Sequence, residues 1–342
     1  MSKHEVVVIT GASAGVGRAT AQEFGRHGAR VALLARGKAG LEGARRDVEK
    51  LGGQAIVIPT DVSDPEQVES AAEKVERKWG AIDIWVNDAM CSVFSPVHEM
   101  TADEYKRVTD VTYLGSIYGT LSALRRMRPR NRGVIVQVGS ALAHRSIPLQ
   151  SAYCGAKHAI VGFLDSLRCE LYHDHSNVKL CVVQMPALNT PQFDWVRSRL
   201  PRKPQPVPPI FQPEVAARAI YHAAHHPRRE MWVGWPTVEA IIGQKFIPGL
   251  LDRYLGKTGY NVQQYDGAAD PDRRDNLFHP VDNDRDFGAH GHFDARASYT
   301  SSELRLSLYR NWLALGAAAL TFAGIVLARK PRDKDFVHDQ AA

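Results

Sequence analysis

Cysteine is scarce. Cys91, Cys154, Cys169 and Cys181 are the four in 342 residues. They form no Cys-x-x-Cys pair and no cluster with histidines. A disulfide scaffold and a metal site are therefore not expected, and reduced, mostly buried thiols are. The net charge is +6, but there is no Arg/Lys stripe interleaved with aromatics. That argues against nucleic acid as a partner. No basic-then-apolar leader opens the chain: Met1 to Glu5 runs straight into a strand-like stretch, so the folded part is expected in the cytosol. Long uncharged runs are also rare, and the clearest spans Trp312 to Ala328. The remaining composition, 44% hydrophobic and 23% charged, suits one α/β domain of about 250 residues plus an addition.

Short, β-branched apolar runs recur through the first 240 residues: 6–9, 31–34, 55–58, 82–86, 134–138 and 180–183. Their nearly continuous apolar character is that of parallel strands buried on both faces. Helix-length stretches separate them. Asp64-Pro65-Glu66 combines a cap, a first-turn proline and a first-turn acid, and Thr101 with Glu104 forms a capping-box pattern. The alternation predicts an α/β fold with a doubly wound parallel sheet over 1–240. The six prolines of 201–213 predict an extended segment. From about residue 257 to 300 the chain is polar and rich in Asp, Arg and His, and an irregular polar extension or linker is expected over 241–300.

Thr10 to Gly17 follows the first strand and opens a helix. Glycines at 11, 15 and 17, with Ser13 and Val16 between them, allow backbone amides to approach a phosphate at the helix N-terminus. The second strand ends at Ala35-Arg36. An NAD-binding site usually offers an acid here for the ribose 2′-hydroxyl. Alanine cannot serve, and Arg36 suits a 2′-phosphate, so NADP(H) is the expected cofactor.

Tyr153 and Lys157 stand four residues apart, on one face if the segment is helical. An ammonium beside a phenol is expected to lower the phenol pKa and make Tyr153 an acid/base group. Ser140, thirteen residues before Tyr153, ends the 134–138 run and can hydrogen-bond a substrate oxygen.

Together these pieces resemble the short-chain dehydrogenase/reductase family over about residues 5–235. The matched pieces are Thr10 to Gly17, Asp61-Val62, Asn87-Asp88-Ala89, Ser140, Tyr153 and Lys157. The resemblance implies a Rossmann-like domain with a seven-stranded parallel sheet. It implies Tyr153 as acid/base, Lys157 as ribose ligand and pKa modifier, and Ser140 as substrate orienter. It also implies Asp61 and Val62 at the adenine, Asn87 and Ala89 bordering the cofactor, and Thr190 at the carboxamide. Three departures stand out. Met90 replaces a usual glycine, Met185-Pro186 replaces Pro-Gly, and Thr112 replaces a catalytic asparagine thought to hold a relay water. Threonine retains a shorter hydroxyl for that role.

The uncharged run 312–328 would make a helix about 25 Å long, at the short end for a bilayer span. Arg305 and Arg310 precede it, Arg329, Lys330, Arg332 and Lys334 follow, and Trp312 suits an interface. Residues 301–342 are thus expected to form an apolar helix anchoring the protein to a membrane, with the catalytic domain facing the cytoplasm. An apolar helix docked on the domain, or a contact in a homo-oligomer, are the alternatives. The expected partner is a small carbonyl/alcohol substrate, with Phe193, Trp195, Phe211 and Trp235 hinting at an apolar pocket. A non-catalytic NADP(H)-binding scaffold or sensor at a membrane is the competing function.

Overall fold

The structure, a computed structural model, describes residues 4–270, 272–310 and 321. The chain divides into two units, Met1–Ser301 and Ser302–Ala342. In the second unit, residues 302–310 are helical. The expected membrane helix 312–328 lies outside the described residues apart from Thr321. Among the described residues, no helix is long and apolar enough to cross a membrane.

The first unit is built on seven strands: β1 Val6–Thr10, β2 Arg30–Ala35, β3 Gln54–Pro59, β4 Ile84–Asn87, β5 Val134–Val138, β6 Lys179–Gln184 and β7 Glu230–Trp232. Their order is β7-β6-β5-β4-β1-β2-β3, and every pairing is parallel. Helices cover the faces, so the central strands must be apolar throughout. Val7, Val8 and Ile9 of β1 are fully buried, as are Val31 to Leu34 of β2. This is the Rossmann-like, doubly wound architecture expected. The order reverses between β1 and β4, and ligands of such sheets bind at the strand ends beside that reversal. β7 was given by no run in the sequence, because three residues are too few for a periodic signal.

Local chemistry sets the helix starts. Asp64 accepts from the backbone N–H groups of Glu66 and Gln67, opening the helix Pro65–Trp79. Thr101 and Glu104 form a reciprocal capping box at Ala102–Val108. The Pro-rich segment is extended as expected. Arg202–Pro204 pairs antiparallel with Gln264–Ala268, and Ile210–Phe211 pairs parallel with Ala297–Ser298.

The expected boundary at 240 is not a structural one, since residues 241–301 belong to the same compact unit as the sheet. Helices Trp235–Phe246 and Pro248–Val262 occupy 241–262, where an irregular segment was expected. Each has a proline in its first turn, where the missing N–H costs nothing and the fixed φ favours helix. Residues 276–288 are irregular, yet Leu277 is fully buried in the main core cluster.

Candidate active site

The glycine turn between β1 and the helix Gly15–Arg26 forms a cradle that side chains would fill. Gly11 and Gly15 have φ of +73° and +57°, the left-handed region. A Cβ on Gly11 would lie 2.9 Å from the Ala89 Cα, and one on Gly17 would overlap the Gly11 carbonyl. The ends of β1 and β4 are joined by Thr10 Oγ1, which accepts from the Asp88 and Ala89 amides at 3.0 and 3.1 Å. The turn opens on a cavity of about 580 Å³. Gly11, Ser13, Gly15, Val16, Arg36, Asp61, Val62 and Ala89 line it, as do Ser140, Tyr153, Lys157 and Thr190, and Thr190 lies against Gly15. The cradle fits a dinucleotide phosphate, with helix-terminal amides on one side and no Cβ in the way.

Three expected site residues lie behind the cavity wall. Gly17 acts through close backbone approach. Asn87 is buried, accepts from Trp85 Nε1 at 2.8 Å and donates to Thr120 Oγ1 at 3.0 Å. It braces β4 against the helix Gly115–Met127. Thr112 is fully buried in a π-helical turn, Thr109–Leu114. Its Oγ1 donates to the Cys91 carbonyl and accepts from the Cys91 amide, each at 3.1 Å. Thr112 is not among the residues that line the cavity, and its hydroxyl spends its one donor and one of its two acceptor positions on backbone.

At the catalytic end, Ser140 follows β5 and its amide donates to Gln184 Oε1 at 2.8 Å. Its hydroxyl oxygen accepts from the Leu142 amide at 3.1 Å, leaving the hydroxyl proton to donate. Tyr153 and Lys157 occupy one face of the helix Ser151–His173. Lys157 Nζ donates to the Val138 carbonyl at 2.8 Å and sits 5.6 Å from the Tyr153 ring centroid. Burial pushes the Tyr153 phenol up, and the hydrogen bond with Ser140 only partly offsets it. Desolvation of the phenolate is the largest influence on the phenol here, and Lys157 is turned to a carbonyl. Burial also pushes Lys157 down, opposed by Asp88, while burial pushes Asp88 up, opposed by Lys157 and the Gly17 amide.

That Asp88–Lys157 pair was missed in the sequence. Its signal was an acid one residue past β4, which neighbours the strand whose carbonyl holds Lys157. Just past β2, Arg36 donates to the carbonyls of Phe278 at 3.0 Å and Leu277 at 3.4 Å, and to that of Asn276. Asp61 is paired with Arg107 at 2.6 Å; burial would raise its pKa, but Arg107 and Ser63 hold it below the usual range. Of the aromatics expected in the substrate wall, Phe193 and Trp195 line the cavity. Phe211 is buried outside it, and Trp235 is half-exposed. No cluster suited to a metal ion occurs among the described residues.

The short chain dehydrogenase family matches residues 5–200. An uncharacterized oxidoreductase of Bacillus subtilis is 32% identical over 307 residues, covering 89% of this chain and 86% of the relative. The 3-dehydrosphinganine reductase of Danio rerio is 32% identical over 222 residues, 63% of this chain and 66% of that protein. Among solved structures, a metagenomic short-chain oxidoreductase in complex with NADP superimposes with a TM-score of 0.57 at 25% identity, covering 67% of this chain and 96% of that one. With its parallel sheet, glycine cradle and Ser140, Tyr153 and Lys157 on one cavity, the chain belongs to the short chain dehydrogenase family of oxidoreductases.

Proposed function

We propose that the protein transfers hydride between NADP(H) and a lipophilic carbonyl/alcohol substrate. The observation that carries this reading is the convergence of Ser140, Tyr153 and Lys157 on the cavity onto which the phosphate cradle opens. The nicotinamide would supply or accept the hydride. Ser140 would donate its hydroxyl proton, now shared with the Tyr153 phenol, in a hydrogen bond to the substrate oxygen. Tyr153 would give its phenolic proton to that oxygen in reduction and recover it in oxidation. Lys157, anchored on Val138, would hold the ribose and place positive charge beside the phenol. Gly11, the close backbone approach that Gly15 allows and the amides of the following helix beyond Gly15, whose own amide donates to the Gly288 carbonyl, would hold the pyrophosphate, and Thr190 would border the nicotinamide. Ala35 and Arg36 favour the 2′-phosphate form, in keeping with the NADP-bound neighbour.

The substrate end supports a lipophilic ligand. Leu142, Met185, Leu188, Phe193, Trp195 and Leu251 line it, and a relative reduces 3-dehydrosphinganine, as its name states. The helices beyond it expose Phe246, Leu250 and Tyr254. With the uncharged run 312–328, this supports membrane association.

The burial of the Tyr153 phenol and the engagement of the Thr112 hydroxyl by the Cys91 backbone favour the second reading, an NADP(H)-binding scaffold. The deciding experiment offers NADPH with long-chain and short ketones to the full-length protein in detergent and follows nicotinamide absorbance. Oxidation of NADPH that needs a long-chain ketone and is lost in Tyr153→Phe is expected. Tight NADPH binding with no turnover of any ketone would establish the scaffold instead.

A further inference from the structure

The extension contributes a wall to the adenosine end of the cavity. Residues 276–288 run across the start of the helix Lys38–Lys50 and close against the glycine turn. Their grip on that helix is polar: the Ala39 amide donates to the Asn283 carbonyl at 3.3 Å and the Gly40 amide to the Asp282 carbonyl at 3.1 Å. The Gly15 amide donates to the Gly288 carbonyl at 3.2 Å. Arg18, on the first helix, pairs with Asp286 and with Asp47. Glycines make the approach possible. A Cβ on Gly37 would overlap the Asp282 carboxylate, one on Gly40 would lie 2.7 Å from Asp282 Oδ2, and one on Gly43 would overlap Asp286.

Asp282 is buried, lines the cavity and lies near enough to Arg36 to act on its charge. Its carboxylate and the Ser13 Cβ both crowd the same face of Gly40. The subsite just past β2 therefore holds one guanidinium from the strand end and one carboxylate from the extension. We propose that Asp282 is a specificity-determining residue for the cofactor, replacing from the extension the acid that Ala35 denies to the end of β2. The inference rests on the dinucleotide reading given above. A carboxylate there accepts a hydrogen bond from a ribose 2′-hydroxyl and repels a 2′-phosphate. Arg36 does the reverse, and it is partly committed to the carbonyls of 276–278. The two residues oppose one another, so NADPH is preferred over NADH only modestly.

The test measures dissociation constants of NADPH and NADH by calorimetry, with full-length protein in detergent. Asp282→Asn keeps the side-chain shape and the backbone carbonyl that accepts from Gly40, so the fold is retained. It is expected to raise the NADPH-to-NADH affinity ratio about tenfold, the scale of one charged contact. Gly37→Ala, which displaces the carboxylate without touching it chemically, is expected to move the ratio the same way. Arg36→Ala is expected to move it the opposite way. Ratios that stay within about twofold of the unmodified protein in both Asp282→Asn and Gly37→Ala would overturn the proposal. Failure of the unmodified protein to bind either nucleotide would overturn the dinucleotide reading itself, and this inference with it.

Discussion

The two ends of the cavity are built by different means. At the catalytic end, Ser140, Tyr153 and Lys157 stand on a strand end and one long helix, Ser151–His173. At the proposed adenosine end, Arg36 from a strand end and Asp282 from an irregular segment more than 240 residues later in the chain both line the cavity, and that segment's carbonyls hold Arg36. The first arrangement is held by packing of regular elements, the second by backbone carbonyls, ion pairs and one buried leucine. Proton transfer needs groups placed to a fraction of an ångström, which regular elements supply. A cofactor's distal end needs recognition and passage, and a segment held by polar contacts can open at lower cost than a helix can leave a core.

The contrast can be broken most sharply at Lys157. If it both holds the ribose and charges the phenol's surroundings, Lys157→Ala should lower kcat/KM by about a hundredfold or more and weaken cofactor binding. Steady-state kinetics with cofactor titration checks this, and an effect on KM alone would reduce Lys157 to a ligand. The adenosine end should respond to Leu277→Ala by losing about 2–4 kcal/mol of stability, the range for a buried leucine, seen in denaturant unfolding. A loss near zero would show that the segment is not anchored by its core contact.

The catalytic end has one polar buttress of its own. Glu230, at the start of β7, accepts from Gln184 Nε2 at 2.6 Å, and Gln184 Oε1 holds the Ser140 amide. Burial would raise the Glu230 pKa, but hydrogen bonds from His144, Gln184 and Trp232 hold it at about 2. A depressed carboxyl stabilises the fold above its unfolded value and loses that contribution as the pH falls through the folded value. Glu230→Gln should therefore cost about 2 kcal/mol at neutral pH. The difference from the unmodified protein should shrink as the pH falls from about 4.5 towards about 2. Melting temperatures across that range test it, and a pH-independent difference would contradict the assigned pKa.

The smallest effect is expected at Thr112. Thr112→Val removes one donor and leaves the buried Cys91 amide without its acceptor, costing about 1–3 kcal/mol of stability. Turnover per folded molecule should change little, because the hydroxyl faces backbone. A loss of turnover without a loss of stability would return Thr112 to the proton path.

What could be read from the sequence follows the same division. The six longer strands, the Asp64 and Thr101 caps, the glycine cradle and the Tyr153/Lys157 spacing are local patterns, carried within a few residues. Arg36 was legible as a cation just past β2, and it lines the cavity. Its partners were not, because backbone carbonyls at 276–278 have no sequence identity. Asp282 was one acid among many in a polar stretch until the fold set it against Gly37 and Gly40. The helices over 241–262 were obscured by Pro248 between them and by exposed apolar side chains that blur a one-sided pattern. The balance at Tyr153 was out of reach for another reason: burial and the direction of Lys157 decide it, and spacing reports neither.

Tyr153→Phe in a single-turnover measurement tests the central claim most directly. The variant protein, loaded with NADPH, is mixed with a long-chain ketone and the loss of nicotinamide absorbance is followed. NADPH should bind as it does to the unmodified protein, while the hydride-transfer rate falls by about 10²–10⁴-fold, the range for loss of a general acid. A rate within about twofold of the unmodified protein would contradict the assignment of the transferred proton to Tyr153.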